Sequence, residues 1–132
     1  MKLLLIVMAL LEVGAGLAML LVPAMALSMA FHTSLDSPGG LVAARVAGGS
    51  IVSLSIACWL LRNENGNAAI NIIQAMLFYN AAAATVLIYA GLVLKLQSDL
   101  LWLAMFIHQA LAIWCLIYVW LKRRRTIATN TN

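Results

Sequence analysis

Charge is what this chain has least of. Four acidic and eight basic side chains among 132 residues make 9% charged, where a water-soluble domain carries about 25%. Hydrophobic residues make up 65%, and the mean hydropathy is +1.03. A surface this apolar cannot be covered in water, which excludes a soluble globular domain and points to a second, apolar solvent. Proline occurs twice, and no stretch is rich in Pro, Ser or acidic residues, so no linker or low-complexity segment divides the chain. The length then suits one compact bundle, 1–132, without a separate soluble domain. Cysteine also occurs twice, as Cys58 and Cys115, each inside an apolar run. Both read as small core residues and say little about redox compartment.

Recognised catalytic patterns are missing too. There is no Ser/His/Asp arrangement, no Gly-rich phosphate loop and no metal-ligand cluster of known spacing. An enzyme reading therefore rests on a lone Glu12–His108 pair acting as acid and base on an apolar substrate such as a sterol or quinone. The net charge of +4 does not indicate nucleic acid, because half the basic residues form one run, Lys122, Arg123, Arg124 and Arg125, directly after an apolar segment. A basic run in that place is the signature of a cytoplasmic membrane flank.

Present in quantity are long apolar runs. A spanning helix needs about 20 predominantly apolar residues at 1.5 Å rise each. Four segments qualify, 3–22, 41–61, 68–94 and 100–121, followed by a basic tail, 122–132. The links between them are His32–Gly40, with Asp36, Pro38, Gly39 and Gly40; Arg62–Asn67, which reads RNENGN; and the short Lys95–Asp99. This is an all-α pattern, expected to form an antiparallel four-helix transmembrane bundle. Lys2, an apolar stretch and Ala24-Met25-Ala26 resemble a signal peptide, but Glu12 interrupts the apolar region and the stretch is too long for an h-region. A retained first helix is expected. Pro23 should break or bend it, leaving Ala24–Phe31 as a short helix or turn along the outer interface.

Orientation follows the Lys and Arg residues. With both ends inside, Lys2, Arg62 and the 122–125 run are cytoplasmic, and Lys95 is the only basic residue clearly in an outside loop. Trp59 and Trp120 then lie near the inner boundary and Trp102 near the outer one, while Trp114 is deep enough to be read as packing between helices. The expected location is the inner (plasma) membrane, multi-pass, with the lipid bilayer, a second copy or a larger membrane complex as partner and no nucleic acid.

Ionisable groups at membrane depth are costly and mark candidate sites. Counting along each helix puts Glu12 roughly 13–15 Å from the inner edge, and Asn80 and His108 both roughly 18 Å from it. Arg45 lies about 6 Å below the outer boundary and can snorkel outward or reach into the bundle. Glu12 shares a helical face with Met8, Gly16 and Met19; Arg45 with Gly48, Gly49 and Val52; Asn80 with Met76, Ala83 and Ala84; His108 with Met105, Ala112 and Cys115. Small neighbours suit close helix–helix approach, as do the spacings Ala44-x-x-x-Gly48, Gly49-x-x-x-Ser53 and Asn80-x-x-x-Ala84. The expectation is one inward-facing network of Glu12, Asn80 and His108, with Arg45 above it on the same side.

Gly16-Leu17-Ala18-Met19-Leu20-Leu21-Val22-Pro23, Asp36-Ser37-Pro38-Gly39-Gly40, Ala44-Arg45-Val46-Ala47-Gly48 and Trp59-Leu60-Leu61-Arg62 together resemble a family of small bacterial four-helix integral membrane proteins, a domain of unknown function. The resemblance covers residues 10–120 and implies the four-helix topology; it brings no activity. Ala9-Leu10-Leu11-Glu12-Val13 resembles the first helix of small multidrug-resistance transporters, in which a membrane Glu exchanges protons for cations. The Gly/Ala/Tyr/Trp-rich third-helix motif of those transporters is absent here, and they lack Arg45 and His108.

Two functions follow. The first is a binding or accessory bundle, a scaffold or a holder of a lipid-like ligand, without a cofactor. The alternative is an oligomeric proton-coupled transporter or channel with Glu12 as protonation site and His108 and Arg45 as relay or counter-charge. A soft metal site at Met25, Met29 and His32, spaced i, i+4 and i+7, is a third candidate for Cu(I). A haem would need His108 with His32 or a Met as axial ligands.

Overall fold

The computed structural model describes residues 1–34 and 37–130, with side chains through Arg124. Asp36 of the Asp-x-Pro-Gly motif lies outside the described residues. Every described element is helical: α1 (Lys2–Leu21), α2 (Pro23–Phe31), α3 (Pro38–Leu60), α4 (Asn67–Leu92) and α5 (Asp99–Asn130). Four of them are long and apolar enough to cross a membrane, namely α1, α3, α4 and α5 over Asp99–Arg124. That is the layout of a multi-pass membrane protein.

Local chemistry sets the ends. Val22, at φ −130° and ψ 53°, stops α1, and Pro23 opens α2 at a position where its missing N–H costs nothing. The 24–31 segment is thus a helix, and His32 closes it in the left-handed conformation at φ 51°, its N–H bonded to the Ser28 carbonyl at 2.9 Å. Ser37 caps α3 by accepting from the Gly40 N–H at 3.1 Å, with Pro38 behind it. This cap starts α3 ahead of the expected Leu41, because hydropathy counting is blind to a polar first turn. At the other end, Lys122, Arg123 and Arg124 continue α5 rather than opening a tail, since Lys and Arg are good helix formers and no breaker precedes them.

The long helices pack as two pairs, α1 with α3 and α4 with α5. The first pair is joined backbone to backbone. A Cβ added at Gly48 would lie 2.7 Å from the Gly16 carbonyl oxygen, and one added at Gly16 would lie 2.9 Å from the Val52 nitrogen. Ser55 completes the seam by donating to the Ala9 carbonyl at 2.8 Å. In the second pair the Trp102 ring lies over Gly91, where a Cβ would meet it at 2.8 Å. Trp102 is therefore half-buried and packs within the pair.

One apolar cluster joins the pairs, and it occupies one half of the molecule. Leu4, Leu5 and Met8 of α1 meet Cys58 of α3, Ile73 and Met76 of α4, and Leu111 and Cys115 of α5. All come from the first half of α1 and α4, the last half of α3 and the middle of α5. In the other half Gly16 and Gly48, and Gly91 and Leu101, serve contacts within a pair, and α2 meets the start of α5, where the Ser98 hydroxyl donates to the Met29 carbonyl at 3.3 Å. Trp114 corrects an expectation. It is 38% exposed, because Leu111, Cys115 and Val119 form the inward stripe of α5 and Trp114 lies about 100° round from Cys115.

Candidate functional site

Four polar side chains meet where the joined half of the molecule gives way to the open half. Glu12 follows Leu4, Leu5, Met8 and Ala9 on the buried stripe of α1 and is 2% exposed. Asn80 sits between Met76 and Ala84 on the buried stripe of α4 and is 0% exposed. His108 is half-buried on α5, one turn from Ala104 and Leu111.

The hydrogen bonds fall into two linked pairs. Tyr79 on α4 donates its hydroxyl to Glu12 Oε2 at 2.9 Å, which crosses from one helix pair to the other. Asn80 Nδ2 donates to the Met76 carbonyl at 2.8 Å, and Asn80 Oδ1 faces His108 Nδ1 at 2.8 Å. A carbonyl oxygen only accepts, so the amide nitrogen of Asn80 is fixed toward Met76 and its oxygen toward the imidazole. His108 must then donate from Nδ1, and in the neutral ring Nε2 is the bare acceptor. The Tyr79 and His108 rings connect the two pairs edge to face, with centroids 5.8 Å apart and planes at 82°.

These groups border an open cleft. Leu11, Glu12 and Ala15 of α1 and Ala104, Ile107 and His108 of α5 line a space of about 120 Å³ in which Glu12 and His108 are the polar walls. A shallower groove along α4, past Tyr79, Ala83 and Val86, also reaches His108. On the Leu111 side the cleft adjoins the shared core, to which Leu111 belongs.

No family model, curated protein or solved structure matches this chain. Its chemistry is therefore read from its own residues.

The structure brings Glu12, Asn80 and His108 to one site, though Glu12 is linked to the other two through Tyr79 rather than bonded to them directly. Arg45 does not join them. It is exposed, because the α3 face that meets α1 is centred on Ala44, Gly48 and Ser55, and Arg45 lies about 100° round from Ala44. Met25 and Met29 are each 57% exposed on α2, and His32 is exposed beyond its end, its left-handed backbone redirecting the side chain from the helical course. Among the described residues, no group of three or more His, Cys, Asp and Glu side chains gathers as metal ligands. Tyr79 is the residue sequence reasoning missed. Its one available signal was its position beside Asn80, at the depth where a buried carboxyl group needs a donor.

Proposed function

We propose that this protein is a small multi-pass membrane protein that binds a lipid-like ligand in the cleft between α1 and α5. In this reading the four long helices form an antiparallel bundle in a bacterial inner membrane with both ends cytoplasmic, in keeping with the resemblance to small bacterial four-helix membrane proteins. The distribution of Lys2, Arg62 and Lys122–Arg124 supports that orientation. So do two stacked pairs at the ends of α3 and α5, Arg62 over Trp59 at 4.0 Å and Arg124 over Trp120 at 3.8 Å, where an aromatic ring and a cation share a boundary.

The observation that carries the binding role is the cleft itself, apolar along its walls and polar only at Glu12 and His108. Binding sites are of this kind, concave and mostly apolar with a few placed polar groups. The core beneath Glu12 weighs for binding over transport, since a pathway through one copy would have to part Met8, Ile73, Met76 and Cys115.

Photolabelling tests this in reconstituted bilayers, with a phospholipid carrying a diazirine midway along one acyl chain. Saturable adducts are expected on Leu11, Ala15, Ala104 and Ile107 and should vanish in Ala104→Trp, which fills the cleft. Adducts spread evenly over the outward residues Leu3, Phe78 and Leu103, unchanged by Ala104→Trp, would refute the binding role.

A further inference from the structure

Two polar atoms beside the cleft have no partner among the described residues. Tyr79 takes Glu12 Oε2 and leaves Oε1; Asn80 takes His108 Nδ1 and leaves Nε2. No fully buried side-chain nitrogen or oxygen lacks a partner among the described residues, so Oε1 and Nε2 each keep some open surface, and the cleft is the space that Glu12 and His108 both line. The rest of the wall offers Leu11, Ala15, Ala104 and Ile107, none with a side-chain donor or acceptor. A ligand seated against Glu12 and His108 must therefore supply what these two atoms require.

Resting on the binding role above, we propose that the ligand is an amphiphile with a neutral hydroxyl head, a long-chain alcohol or phenol. Its hydroxyl donates to His108 Nε2 and meets Glu12 Oε1. A hydroxyl has one hydrogen and two lone pairs, so with its hydrogen on Nε2 its oxygen accepts from Glu12 as an acid, whose proton then sits on Oε1. An ammonium head can donate to Nε2 but has no lone pair to accept the proton of the acid. A carboxylate head can accept from the acid but sets acceptor against acceptor at Nε2. An ether can accept from the acid but leaves Nε2 unmet. A site built to hold a hydroxyl rejects the analogue without it, because its own buried polar atoms are left unpaired.

The test is competition in nanodiscs of the full chain. Hexadecanol with a diazirine at its tail end is the probe, and hexadecanol, hexadecyl methyl ether, hexadecylamine and hexadecanoate are the competitors. Hexadecanol is expected to displace the probe about tenfold better than the ether, the ratio that about 1.4 kcal/mol produces. In His108→Phe, which keeps an aromatic ring and removes both nitrogens, that preference should disappear; Glu12→Gln, which still offers an acceptor and a donor, should keep it. Should His108→Phe lose its native melting transition, Ala104→Trp replaces it and must abolish labelling. Stronger displacement by the amine or the acid overturns the hydroxyl assignment. So does a folded His108→Phe that retains the preference, or labelling that survives Ala104→Trp. Equal displacement by alcohol and ether, with the phospholipid adducts intact, overturns the head group and leaves the binding role standing. Loss of both sets of adducts removes the binding role itself.

Discussion

Tyr79 of α4 reaches across to α1 and holds Glu12 by one oxygen, at 2.9 Å. The bond ties the two helix pairs together at the upper limit of their shared core, where Tyr79 packs against the cluster as a partly buried neighbour. Tyr79→Phe keeps the edge-to-face contact with His108 and removes only the donor. It should destabilise the protein by about 0.5–1.5 kcal/mol in a reversible unfolding assay in bilayers. Glu12→Gln retains an oxygen for Tyr79 and should be nearly neutral, while Glu12→Ala should cost roughly 0.5–2 kcal/mol. An Ala variant as stable as the Gln variant would show that the Tyr79–Glu12 bond holds nothing together.

The α1–α3 seam makes a sharper demand. Gly48 and Gly16 touch backbone, and neither contact can yield by turning a side chain alone. Gly48→Ala should therefore push the helices apart and destabilise by about 1–3 kcal/mol. Gly49→Ala, one residue along, meets open space and should stay within ~0.5 kcal/mol of the native protein. Equal melting temperatures for the two variants would contradict the close approach.

How much of this was legible in the sequence depends on the kind of signal. The spans were legible because a bilayer demands about 20 apolar residues and little else competes for that pattern. The closeness of Asn80 and His108 was also legible, since equal depth follows from counting rise per residue. Arg45 and Trp114 were misread for one reason. Depth can be counted, but the face a helix turns inward depends on which neighbour it meets, and one residue's step turns a side chain through about 100°. The cleft was not legible at all, because it arises from two helix pairs sharing a core over half their length.

Orientation can be read by labelling single cysteines in intact cells. Native Cys58 and Cys115 are both fully buried and should react little. Thr33, Asp99 and Glu64 are exposed in the links, whereas Ser98 is 6% exposed and bonded to the Met29 carbonyl, which makes it a poor reporter. Thr33→Cys and Asp99→Cys should react with a membrane-impermeant maleimide directly, and Glu64→Cys only after permeabilisation. The opposite pattern would place both ends outside.

The imidazole of His108 offers a test of the site that needs no ligand. Asn80 is held by its own helix, its amide nitrogen on the Met76 carbonyl at 2.8 Å, so its oxygen has one orientation and can only accept. The Nδ1–H tautomer of His108 follows, although Nε2–H is the commoner form of a free imidazole in water. Nitrogen-15 spectra of histidine-labelled protein in bilayers should show a protonated Nδ1 and, in the neutral ring, a bare Nε2. Asn80→Asp keeps an acceptor at the same place and should preserve the pattern; Asn80→Leu removes it and should release the ring to both tautomers. A bare Nδ1 in the native protein would mean that His108 accepts at that position. The amide of Asn80 would then be turned about, the Met76 carbonyl would lose its donor, and Nε2 would present a hydrogen to the cleft. That outcome would reverse the chemistry expected of any ligand there, which makes the tautomer the measurement to take before the ligand series.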